Sequence, residues 1–143
     1  MSGCGSNAPA GGTEITKNTV VTVAATPVPH SEILNEIKPL LAKEGIDLKI
    51  IEFTDYVKPN LALADKEVDA TFHQHLPFLE KFNAEHNTNL VSAGNVHIEP
   101  MGVYSHKIKA LSDLPLKAKV AIPNDPSNGG RALLILQAAG QIG

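Results

Sequence analysis

From Thr19 onward the apolar residues fall in short blocks whose period switches between two and about 3.6, the signature of strands alternating with helices. TVVTVAAT is β-branched and brief, and PVPH closes it, which predicts a strand buried on both faces followed by a turn. In HSEILNEIKPLLAKEG, residues Ile33, Leu34, Ile37, Leu40 and Leu41 form a helical stripe, with Ser31 as N-cap candidate and Gly45 as the stop. Pro39 within that stripe predicts a kink or a split. IDLKIIEF alternates as a second strand, so the three elements read as a βαβ unit with parallel strands and a right-handed crossover.

Downstream, TDYVKPNLALADKEVDATF reads as a loop, a short helix over Asn60 to Lys66 and a third strand, VDATF. HLPFLEKFNAEHN is amphipathic, with Leu76, Leu79 and Phe82 on one side. NLVSAGNVHIEPMGVYSH supplies two extended stretches with Pro100 at a bend or edge, KVAIP another short strand, and GGRALLILQAAG a last helix. This alternation argues for an α/β fold with a mostly parallel sheet.

The first 18 residues break the pattern. They are small and polar, with little to bury, and read as a flexible tether. A Gly-Cys pair before such a tether looks like a bacterial lipoprotein start, with Cys4 acylated after removal of a signal peptide; a polar tail with a stray Cys is the other reading. At 143 residues and 43% apolar, the chain as a whole is enough for one full-sized core. The 12 basic residues are scattered and the net charge is −3, which argues against a nucleic-acid partner. No apolar run reaches the ~18 residues of a spanning helix, and a single Cys excludes an internal disulfide or a thiolate zinc site.

Ligands of open α/β sheets sit beyond the carboxyl ends of strands, so the chemistry is sought in TPVPH, TDYVKPN, FHQH and PNDPSNGGR. His73 and His75 are two apart and have metal-ligating nitrogens, but His30, His97 and Asp69, the further candidates, are dispersed. Local HxxH or HExxH spacing is lacking, so neither metal nor cofactor is expected; one His orienting the next helix while the other faces solvent explains the pair. In NDPSNGGR, Asn124 and Asp125 form a turn, Asn128 is a helix-cap candidate, and the glycines permit close backbone approach. Backbone N–H groups at that helix start, with the fork of Arg131, suit an α-carboxylate. By spacing alone, an ordinary loop whose Arg makes a structural salt bridge accounts for the motif at least as well. No P-loop frame or GxSxG elbow occurs, and Glu99 beside a His in HIEP reads as a structural partner, so no catalysis is expected.

Together DATFHQHLPFLEKFN, VHIEPMGVYSHKIKALSDLP and VAIPNDPSNGGRALLILQAAGQI resemble the NlpA family of bacterial lipoproteins, from about Thr19 to Ile142. The resemblance implies a type II periplasmic-binding-protein fold, with helices on both faces of the sheet: residues 19–118 as a first lobe and 119–143 as the start of a second. It also implies capture of methionine or a related amino acid for the membrane subunits of an ABC importer, by a protein lipid-anchored through Cys4 on the extracytoplasmic face of the cell membrane. Tyr56 and Phe72 would line an apolar pocket with His75 and Tyr104 beside them; Asn128 and Arg131 would hold the amino-acid backbone, Arg131 on its carboxylate. His73 stands where relatives often carry Phe, and NGGR replaces the commoner NEGR. Family members are also much longer. The competing expectation is a self-associating unit, dimeric or swapped through the apolar face of ALLILQAAG, that binds no ligand.

Overall fold

In strand β1 (Thr19–Ala25), Val23 and Ala25 pack with Leu34 and Leu48 into one apolar layer, while Ala24 packs with Ala62 and Val68 into another. Side chains alternate across a strand, so a strand apolar at successive positions must separate two layers. The computed structural model describes residues 19–143; the expected tether and Cys4 lie outside the described residues.

Strand β1 is central in the order β2-β1-β3. It pairs in parallel with β2 (Ile46–Glu52), from Thr19↔Ile46 to Ala25↔Glu52, and with β3 (Ala70–Phe72), from Val23↔Ala70 to Ala25↔Phe72. Helix α1 (Glu32–Lys43) gives Leu34 to the first layer, and α2 (Lys58–Ala64) gives Ala62 to the second. The sheet is therefore covered on both faces, as the α/β reading expects. Asp69 lengthens β3 in an unusual way. Its N–H donates to Thr22 O at 2.9 Å, while the Thr22 N–H donates to its carboxylate at 2.7 Å, a side chain standing in for the next ladder acceptor.

Four local expectations are corrected or refined. Pro39 does not split α1, which runs unbroken from Glu32 to Lys43 with the proline on its exposed side. Ser31 does stand at the N-cap of α1, but its side chain makes no capping bond: the chain already turns through Pro27–Ser31 and the residue is buried. Helix α2 begins at Lys58 rather than Asn60, since Asp55 accepts the N–H groups of Val57 and Lys58 at 3.0 and 2.8 Å. In α3 (Leu76–His86), Leu79 and Phe82 are buried as expected, but Phe78 joins them and Leu76 is 52% exposed. Gly45 ends α1 as expected, at φ +80°.

The described residues form two compact units, 19–75 with 79–90, and 76–78 with 91–143. In the second, the expected extended stretches and KVAIP form no strand; a short 3-10 turn, Leu111–Asp113, and α4 (Pro126–Ala138) are its regular elements. A strand is held by ladder bonds to a neighbour, and no described residue supplies them here. Ile98 and Leu116 accordingly stand 91% and 93% exposed. Among the described residues no helix is long and apolar enough to cross a membrane.

Candidate functional site

After β1 the chain runs to β2 on one side, then returns across β1 to place β3 on the other. The order reverses between β1 and β3, and in an open parallel sheet that reversal leaves a crevice at the strands' carboxyl ends. Thr26, His30 and Ser31 follow β1 there, and His73, Gln74 and His75 follow β3.

Three tethers fix this end of the first unit. Thr26 Oγ1 and His30 Nδ1 share a hydrogen bond of 2.7 Å, and the buried His30 ring meets Phe72 edge-on at 4.6 Å. Asn60, with no exposed surface, and Gln74 exchange two amide bonds, 2.8 and 2.7 Å. His73 Nε2 donates to Tyr56 O at 3.2 Å, and the two rings meet edge-on at 5.5 Å. Since a carbonyl only accepts, this bond fixes the proton of the neutral ring on Nε2. Burial is the main cause that holds the His73 pKa at about 4, against the opposing pull of the Tyr56 carbonyl. The Asp55 carboxyl is lowered chiefly by its bond from the Lys58 N–H, and its grip on Val57 and Lys58 shapes the loop that presents Tyr56.

His73 is thus not a solvent-facing member of a His pair: it is 3% exposed and bonded to the neighbouring loop. Among the described residues, no cluster of three His, Asp or Glu side chains with metal-binding spacing includes His73 or His75. Phe72 is partly buried and packs against the layer of Val23, Ala25, Leu34 and Leu48, so its ring serves core and strand end together. His75 is partly buried at the head of α3, its carbonyl accepting from the Leu79 N–H at 3.2 Å.

In the second unit, NDPSNGGR becomes the start of α4, with Asp125 rather than Asn128 at its cap. Asp125 Oδ1 accepts the Asn128 N–H at 2.8 Å, and Oδ2 accepts Asn128 Nδ2–H at 3.1 Å. Arg131 Nη1 donates to Asn128 Oδ1 at 3.0 Å. The expected anion site made of backbone N–H groups is therefore largely spent. Pro126 has none, Asn128's is taken by Asp125, and Gly129's donates to Asp125 O at 2.8 Å. The cation remains: Arg131 is exposed and makes no ion pair among the described residues. Of the two glycines, a Cβ at Gly129 would meet Pro123 O at 3.0 Å, whereas Gly130 has open space.

Tyr104, the remaining expected site residue, is 87% exposed, and its ring lies over Gly102. The structure thus joins Asn128 to Arg131, and gathers Tyr56, Phe72 and His75 at one end of the first unit's sheet. Asn60, Gln74 and Asp125 are the supporting residues, and the sequence, which places Asn60 at a helix start and Asp125 in a turn, does not show their partners. A polar residue directly following a strand or opening a helix was the available signal, but which amide faces inward depends on the packed structure.

The NlpA lipoprotein family model matches residues 21–143. The methionine-binding lipoprotein MetQ of Bacillus subtilis (strain 168) is 49% identical, over 99% of this chain and 51% of that protein. Lipoprotein Tp32 of Treponema pallidum superimposes with a TM-score of 0.81 at 45% identity, over 87% of this chain and 52% of that one. A nutrient binding protein from Burkholderia cenocepacia, solved bound to methionine, gives 0.80 at 46% identity, over 86% and 52%. The chain spans about half the length of the curated relatives it matches.

Proposed function

The chain belongs to the NlpA lipoprotein family, and from this premise we propose that it takes part in binding methionine or a closely related amino acid for an ABC importer, leaving the ligand chemically unchanged. The observation that carries this reading is the Asp125–Asn128–Arg131 corner: an exposed guanidinium, steadied by a buried amide and unpaired with any described carboxylate. A planar fork in that state suits the carboxylate of a zwitterion. Arg131 takes the carboxylate and Asn128 the adjoining polar atoms. The methionine seen in the Burkholderia relative supports this choice of ligand. Cys4 carries the lipid that holds the protein on the extracytoplasmic face of the membrane. Calorimetric titration with L- and D-methionine tests the reading, and the absence of saturable binding to either overturns it.

A second reading is favoured by one observation, the exposure of Ile98, Leu116 and Leu134. Apolar surface left to water favours association, so the chain would pair with a second copy and bind no amino acid. Light scattering separates the two: a monomer that binds methionine removes this alternative.

A further inference from the structure

We infer that Asp125 is a positioning residue, which sets the direction of the Asn128 amide and through it the aim of the Arg131 guanidinium. Capping α4 needs one carboxylate oxygen, and Oδ1 supplies it by accepting the Asn128 N–H at 2.8 Å. The second oxygen has a different partner, the Asn128 side-chain Nδ2–H at 3.1 Å. A carboxylate oxygen only accepts and a guanidinium only donates. Between them the Asn128 amide has one satisfactory orientation, nitrogen toward Asp125 and oxygen toward Arg131 Nη1 at 3.0 Å. Asn128 is 8% exposed, so a turned amide finds little water to replace those bonds. The order along the helix start, acceptor, amide, cation, is thus fixed by chemistry within the first two turns. One N–H of Arg131 is spent on the amide, and the rest keep a defined direction for a planar anion. Preorganisation of this kind raises affinity by removing the cost of ordering a long side chain on binding. The inference rests on the methionine-binding reading for its consequence, but the order it imposes on Arg131 exists without ligand.

The test is Asp125→Asn, with Asp125→Ser as control, in the full chain. Asn and Ser cap helices about as well as Asp, so both variants keep the melting temperature and the amide-exchange protection of α4. In Asp125→Asn the new side-chain NH2 faces Asn128 Nδ2–H, donor against donor, and the amide must turn. Methionine affinity by calorimetry falls roughly tenfold or more, the scale of a lost hydrogen bond to a charged group. In the ligand-free protein, ¹⁵N spectra show the Arg131 guanidinium rotating freely in the variant and restrained in the wild type. Wild-type affinity and a restrained Arg131 in Asp125→Asn overturn the inference. Affinity loss that follows faster amide exchange along α4 also overturns it, by reducing Asp125 to a cap. A wild-type chain that binds no methionine defeats the proposed function instead, and the Arg131 spectra still decide the role of Asp125.

Discussion

Asn60 and Gln74 face each other and each amide uses both its nitrogen and its oxygen, Asn60 Nδ2 donating to Gln74 Oε1 at 2.8 Å and Gln74 Nε2 to Asn60 Oδ1 at 2.7 Å. This pair ties the first turn of α2 to the loop that carries His75. Asn60→Ala removes two bonds and strands the Gln74 amide, so it lowers unfolding stability by about 2–4 kcal/mol. Urea denaturation measures it. A loss under about 1 kcal/mol, the net worth of an ordinary surface bond, contradicts the role given to the pair.

His73 gives the acid limb of stability a specific origin. Its folded pKa is about 4 against 6.5 for the free side chain, so between those values the unfolded chain binds more protons. Its contribution is complete above pH 6.5 and declines as the pH falls toward 4. At pH 5 the loss from this residue is about 2 kcal/mol relative to neutral pH. His73→Phe loses the bond to Tyr56 O but flattens this pH dependence. Denaturation midpoints at neutral pH and at pH 5 check it, and an equally steep acid loss in the variant refutes the assignment.

The two adjacent glycines of α4 separate cleanly. Gly130 has open space where a Cβ would sit, so Gly130→Ala stabilises by roughly 0.5–1 kcal/mol through helix propensity. At Gly129 the new methyl meets Pro123 O at 3.0 Å, and the gain is cancelled or reversed. Thermal melts of both variants decide this; equal gains would mean that the Pro123 carbonyl yields freely.

How far the sequence could be read follows from where the determining physics lies. The βαβ core was legible because Val23, Ala24 and Ala25 are apolar in succession and α1 carries its own stripe, a signal local to each segment. Start signals were less legible. Asp125 and Ser31 both precede helices, and only the packed chain shows that the Asp125 side chain caps α4 while that of Ser31 is buried and makes no capping bond to α1. The extended stretches after Leu90 look like strands because β propensity is local, yet a strand exists only with a partner, which the described residues do not provide. For the site, Asn128 and Arg131 were legible as residue types in NDPSNGGR, and in the structure a hydrogen bond joins them. The part of His73 was not legible, since its sequence neighbours suggest a His pair while its contacts lie with Tyr56, 17 positions away.

If Arg131 receives the carboxylate of an amino acid, as proposed, calorimetric titration of methionine separates the wild-type chain from Arg131→Ala. Removing a charge-assisted contact weakens binding roughly 10- to 100-fold while the melting temperature stays near that of the wild type, as befits an exposed side chain with one hydrogen bond to its own helix. Methionine binding with unchanged affinity in Arg131→Ala would remove the guanidinium from the site.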